Sequence, residues 1–190
     1  MADFKTAYEK TMKHEGGWAN DPDDSGGMTW KGIARNYHPN WDGWTIIDSI
    51  KMGKTESQFE PLLFASSPLQ IKVLEFYKKE FWDVIKLDKV TNQDIANELF
   101  DTGVNMHHSV AAEFLQRSLN ATNRNGKDYP DIDEDGEIGP QTLGVLNAHP
   151  RPAQILKLLN CQQGTRYMDI CRKRPSQEKF MTSWLSRVTI

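Results

Sequence analysis

Residues 16 to 32, GGWANDPDDSGGMTWKG, hold five glycines, three aspartates and a proline, and no continuous helix can run through such a stretch. Glycine carries a large backbone entropy cost in a helix, proline lacks the amide donor, and aspartate prefers caps and turns. The segment is expected to form turns with one or two short strands. Most of the chain elsewhere follows helical spacing. The fold class read from this contrast is mainly α, with a small β patch near the N-terminus and a helical C-terminal lobe.

The helices announce themselves by period and by their ends. In DFKTAYEKTMKHE, Phe4, Tyr8 and Met12 fall one turn apart, with Asp3 as N-cap and Gly16-Gly17 as the stop, which places Glu15 in the last turn. Ser67-Pro68 reads as an N-cap followed by proline at the first helical position of LQIKVLEFYKKEFWDVIKL. A helix from Asn92 or Gln93 through Met106 turns Ile95, Leu99 and Phe100 inward. VAAEFLQRSLNA, PQTLGVLNA and the cysteine-bearing segment are expected to follow as helices, with Phe180, Trp184 and Leu185 marking a final packed one. Residues 33 to 66 hold one or two short helices with unclear limits. TNRNGKDYPDIDEDGEIG is a long polar loop, and loops of that length usually have a job or a stabiliser.

The 190 residues fit one domain or two small lobes, and 38% apolar content supports a core. With 23 basic and 26 acidic residues and a net charge of −3, no basic block suggests a nucleic-acid partner. No run approaches the roughly 20 apolar residues of a membrane span, and the first residues form a charged amphipathic helix rather than a signal peptide. The expectation is a monomer made in the cytoplasm. Cys161 and Cys171, ten residues apart on one helix, would be separated by about 15 Å, beyond the roughly 7 Å that a disulfide spans. Both are expected to be reduced thiols in core positions.

An acid in the last turn of a helix faces the negative end of the helix dipole, which is unfavourable by roughly 0.3 to 1 kcal/mol. That raises the pKa of Glu15 by less than about one unit, so a catalytic acid would need burial beside apolar groups as well. Asp24 follows nine positions later and Thr29 five after that, with Gly26-Gly27 folding the chain back. Paired carboxyls across a turn suit glycoside hydrolysis: one protonates the leaving oxygen while the other activates water or stabilises an oxocarbenium-like transition state. The same pattern also fits an Asx-turn at Asp23 or Asp24 beside a solvated glutamate.

The run E-G-G-W-x-N-D-P-D-D-x-G-G-x-T-x-x-G-I resembles the opening motif of the family 108 glycoside hydrolases, lysozyme-like N-acetylmuramidases of phage and bacterial genomes. E-L-F-D-T-G-V-N at 98 to 105, followed by F-L-Q-R-S-L-N at 114 to 120, is similar to the start of that family's peptidoglycan-binding segment. D-G-E-I-G-P-Q-T at 135 to 142 is similar to the segment's D-G-x-x-G-P-x-T signature. The resemblance implies a lysozyme-like α+β fold, with residues 1–92 catalytic and residues 93–190 a helical peptidoglycan-binding region, packed together as one compact unit. It further implies Glu15 as the general acid cutting the bond between N-acetylmuramic acid and N-acetylglucosamine, with Asp24 and Thr29 handling the attacking water. Thr29 stands one residue earlier than the pattern, and Met106-His107-His108 replaces the glycine that usually follows V-N. Asn105, at the end of the second block, becomes a candidate substrate contact.

Indole faces stack on the apolar faces of pyranose rings, which makes Trp18 and Trp30, flanking the loop, candidate substrate-binding residues. Trp41 and Trp44 read as packing. His14, His107 and His108 lack partners at metal spacing. Asp131, Asp133 and Asp135 with Gly136 match the first half of a calcium loop, but Thr142 stands where the bidentate acid belongs. No metal and no cofactor is expected, with calcium at that run the lesser alternative.

The leading expectation is a peptidoglycan hydrolase of endolysin type that reaches the cell wall through a holin-like pore or another exporter. Two alternatives stay open: a lytic transglycosylase, which needs one glutamate and leaves anhydromuramyl ends, and a non-catalytic wall-binding or secretion-associated protein.

Overall fold

The computed structural model describes residues 1–12, 16–21 and 26–189. They are predominantly helical, with one three-stranded antiparallel sheet near the N-terminus, as the lysozyme-like reading requires. The chain divides into two compact units, Thr11–Glu80 on one side and Met1–Lys10 with Phe81–Ile190 on the other. Among the described residues no helix is long and apolar enough to cross a membrane.

Helix α1 spans Phe4–Thr11 and begins as expected. The Asp3 carboxylate accepts from the Thr6 amide at 2.7 Å and from its hydroxyl at 2.8 Å, satisfying a donor that the first turn leaves open. Glu15, which the sequence places in the last turn of this helix, lies outside the described residues.

In the Thr11–Glu80 unit, strands β1 (Trp18–Ala19), β2 (Thr29–Trp30) and β3 (Ile33–Ala34) pair in the order β1-β2-β3. Lys31 and Gly32 join β2 to β3 with φ of 45° and 79°, the positive pair that a two-residue type I′ hairpin turn requires. Helices α2 (Gly43–Lys51), α3 (Glu56–Ala65) and α4 (Ser67–Tyr77) pack beside the sheet. The α4 cap is Ser66 rather than Ser67: its Oγ accepts from the Leu69 amide, and Ser67 and Pro68 are the first two helical residues. Proline is tolerated throughout the first turn, so the dipeptide located the start of the helix without specifying the capping residue. Past Tyr77 the chain continues into a π-helical turn at Lys78–Asp83 that carries the buried Trp82.

The other unit is built on α5 (Gln93–Met106), α6 (His108–Thr122) and α8 (Pro152–Lys173), which pack on one another. Phe4 meets Trp82 and Phe100 edge-on at 5.7 and 5.8 Å, sealing α1 onto α5. The Asn92 carboxamide caps α5 through the Ile95 amide at 3.0 Å. Helix α7 occupies Pro140–Ala148, and α9 is a short Met181–Leu185 helix. The expected final packed helix is only partly packed, since Phe180 and Leu185 are 42% and 50% exposed. Gly164 does not interrupt α8. Cys171 is buried and free as expected, whereas Cys161, also free, is exposed. Ten residues of helix amount to about 280° of rotation at 3.6 residues per turn, so the two thiols fall on different faces.

The 123–139 loop is held by one row of amides on α6. Asn120 donates to the Ile132 carbonyl at 2.8 Å and accepts from the Ile132 amide at 2.9 Å, so its side chain completes the loop backbone as a strand partner would. Gln116 acts in the same way on Gly136 and Glu137, whereas Asn123 accepts from the Gly126 amide and donates to the Asp131 carboxylate. Positions 116, 120 and 123 recur at four and three residues, which aligns them on one helix face.

Candidate active site

The turn-rich segment is anchored by α3 and α4. Cross-strand pairing sets Trp18 opposite Trp30 and Ala19 opposite Thr29. Both indoles face α3: Trp18 meets Phe59 edge-on at 5.3 Å, and Trp30 meets Phe64 at 4.9 Å. Trp30 is 0% exposed and Trp18 9%, so Trp30 offers no face to a ligand and Trp18 very little. Successive residues of a strand point to opposite faces, and Thr29 therefore lies on the side of the sheet away from both tryptophans. It is half-buried, and its hydroxyl donates to the Gly27 carbonyl at 3.2 Å.

Of the catalytic candidates, Glu15 and Asp24 lie outside the described residues, as does His14. Their flanks are described. The Asn36 amide donates to the Gly26 carbonyl at 3.1 Å and the Arg35 amide to the Met28 carbonyl at 2.8 Å, which ties Gly26 and Met28 to the end of β3. The Lys31 amide donates to Gly17 O at 3.1 Å, and Tyr77 Oη donates to Lys31 O at 2.6 Å. Arg35 forks onto Asp48 with two bonds of 2.7 Å. That bond holds the Asp48 carboxyl below its usual range and raises the Arg35 guanidinium.

Two lysines that sequence reasoning passed over lie against these aromatics. Lys51 Nζ stands 4.0 Å from the Trp18 ring centroid, and Lys31 Nζ lies 5.6 Å from the Phe64 ring while donating to Gln70 Oε1 at 2.6 Å. Burial pushes the pKa of both ammonium groups down. An aromatic face favours an ammonium group placed over it. Nothing in the local sequence marks Lys51, the last residue of α2, because only the packing of α2 brings it to Trp18.

An aromatic surface open to solvent lies at the end of β3. Tyr37, 63% exposed, and the half-buried Trp41 line a pocket of about 420 Å³ with His38, Lys72 and Phe76. Trp41 packs edge-on against Trp44 at 5.2 Å, as expected, and also presents surface to this pocket. Its ring occupies the space beside Gly43, where an added Cβ would fall 2.2 Å from the indole.

The remaining candidates are apart from this segment in the chain. Asn105 is exposed on α5, its Nδ2 donating to the Asp101 carbonyl at 2.8 Å. The Asp131 and Asp135 carboxylates are engaged by the Asn123 and Gln116 amides, and Thr142 is buried in α7. Among the described residues no three histidine, cysteine or acidic side chains converge as metal ligands.

Glu98, in the second sequence block, is a buried acid whose state was not anticipated. It is 6% exposed, with Oε1 unpartnered among the described residues. Burial, reinforced by the Asp101 carboxylate, pushes its pKa up to about 7, against the opposing pull of Lys10, Asn160 and Thr102. The signal was present in the period: Glu98 lies between Ile95 and Thr102, at three and four residues, on a face that is buried. Nearby, Arg187 pairs with Asp101 at 2.9 Å, with both side chains largely buried.

Residues 8–106 match the family described as Glycosyl hydrolase 108, and residues 110–189 match a family described as Predicted Peptidoglycan domain. The sequence matches no curated protein. The structure is similar to that of SagA from Brucella abortus, with a TM-score of 0.62 at 19% identity, covering 97% of this chain and 88% of that one. At that identity the likeness speaks for the fold. The opening motif and both later blocks fall within the two matched segments, and the chain belongs to the glycosyl hydrolase 108 family as a glycoside hydrolase of peptidoglycan with a C-terminal peptidoglycan domain.

Proposed function

We propose that the chain is an N-acetylmuramidase of endolysin type in which Glu15 is the general acid. Its proton goes to the glycosidic oxygen between N-acetylmuramic acid and N-acetylglucosamine, the bond from that oxygen to the anomeric carbon breaks, and water adds to the anomeric carbon. Asp24 takes the water proton or stabilises the developing positive charge, according to the separation of the two carboxyls. Thr29, with its hydroxyl on the outer face of the sheet, orients the water. The observation that carries this reading is the E-G-G-W to T-x-x-G-I run, which falls inside the matched hydrolase segment.

Residues 1–92 form the catalytic region in this proposal and residues 93–190 hold the wall, with Asn105 contacting the glycan. Trp18 and Trp30 serve as the inner support of the loop, and Tyr37 and Trp41 supply the aromatic surface for a sugar. Clearing of cell-wall suspensions by wild type and by Glu15→Gln tests the assignment. Wild type should clear the suspension, and the variant should lose activity by a factor of about 10² or more. Equal clearing by both, or by neither, sinks the assignment.

A further inference from the structure

The C-terminal part of α8, the 3₁₀ turn at Pro175–Phe180 and Trp184 of α9 enclose a pocket of about 430 Å³. Its charge runs against the net charge of −3 carried by the whole chain. Arg166, Lys173 and Arg174 line it, and the one acid in the lining, Asp169, is already engaged by Arg172 at 3.4 Å. Arg166 and Lys173 are seven residues apart and so share a face of α8. Among the described residues no side-chain hydrogen bond or ion pair engages Arg166, Lys173 or Arg174, and all three are exposed. Trp184 forms an aromatic wall. It is half-buried and held in place by stacking on Tyr167 at 5.0 Å and 21°.

We propose that this pocket is a binding site for a carboxylate-bearing saccharide, through which the C-terminal segment holds peptidoglycan by its muramyl residues and the carboxylates of their peptides. An indole wall suits the apolar face of a pyranose ring. A guanidinium forks onto a carboxylate with two charge-assisted bonds, and an ammonium adds a point charge. The volume lies within the roughly 300 to 1,000 Å³ of small-ligand sites, with room for one N-acetylated sugar and the start of its peptide. The site lies within the residues 110–189 that match a peptidoglycan domain, and the identity of the polymer rests on that reading.

The test is calorimetric titration of the full chain with an N-acetylmuramoyl tetrapeptide, which has no glycosidic bond to cut. The same probe with its carboxylates amidated, and a phosphate-rich teichoic polymer, are titrated in parallel. Wild type should bind the free-acid probe with an affinity that falls as salt rises. The triple variant Arg166→Gln, Lys173→Gln, Arg174→Gln should bind it about ten-fold or more weakly, and amidation of the probe should weaken wild-type binding to a similar degree. All three side chains are exposed, so the variant should melt with the wild type. No binding by wild type, equal binding by wild type and variant, indifference to amidation, or preference for the phosphate polymer would each overturn the proposal. Cleavage of glycan strands is assayed separately on wild type, so failure of the muramidase reading is distinguishable from failure of this one.

Discussion

Gln116 and Asp135, nineteen residues apart, are joined by a 2.6 Å bond from Gln116 Nε2 to the Asp135 carboxylate. The same side chain accepts from the Gly136 amide at 3.0 Å and donates to the Glu137 carbonyl at 3.0 Å. F-L-Q-R-S-L-N and D-G-E-I-G-P-Q-T, two separate blocks in the sequence, are therefore one construction, in which a helix amide serves as backbone partner for a turn. The bond from Gln116 is also the leading cause of the lowered pKa of Asp135. The acidic run that matched half a calcium loop is a clamped turn here.

Gln116→Ala should leave the Gly136 amide without its partner in a buried setting. Gln116 is 1% exposed, and loss of such a multiply bonded group costs about 2 kcal/mol. Thermal unfolding should fall by roughly 4 to 8 °C for a chain of this length. An unchanged melting temperature would show that water replaces the amide without loss.

Gly136 has φ of 74°, and an added Cβ would come within 3.3 Å of the Ser109 carbonyl oxygen and Cβ. Gly136→Ala should destabilise by about 1 to 3 kcal/mol. Gly144, inside α7 with nothing near its absent Cβ, is the matched control. Alanine there should stabilise by roughly 0.5 to 1 kcal/mol. Urea unfolding of the two variants should move in opposite directions from wild type.

Glu98 makes stability depend on pH. Its pKa is raised from 4.5 unfolded to about 7 folded, so the native state binds more protons than the unfolded state between those values. Stability is then fully present below pH 4.5 and falls as pH rises toward about 7. The span corresponds to a loss of about 3 kcal/mol. Glu98→Gln should flatten that slope and should be the more stable protein above pH 7. Urea denaturation across the range reads both effects, and a slope unchanged by the substitution would rule Glu98 out as its source.

The proposed hydrolysis predicts reducing muramyl ends in digests of purified sacculi, which mass spectrometry distinguishes from 1,6-anhydro ends. Asp24→Asn should slow the reaction by a factor of about 10² to 10⁴ if Asp24 handles the water. Anhydromuramyl ends produced by the pure protein would replace the hydrolase reading with the transglycosylase one.

Much of this protein was legible without coordinates, because the physics involved is local. The caps at Asp3 and Asn92, the start of α7 at Pro140 and the apolar period of α5 all depend on residues within one or two turns of each other. The three motif blocks, whose order carries the family, are likewise properties of the linear chain. Tertiary structure alone decided which face of a strand or helix meets another element. It turned Trp18 and Trp30 onto α3, exposed Cys161 while burying Cys171, brought Lys51 to an indole and shut Glu98 away from water. Periodicity states which residues share a face; what covers that face is supplied by chain many residues away, and that cover sets burial, charge state and surface open to a ligand.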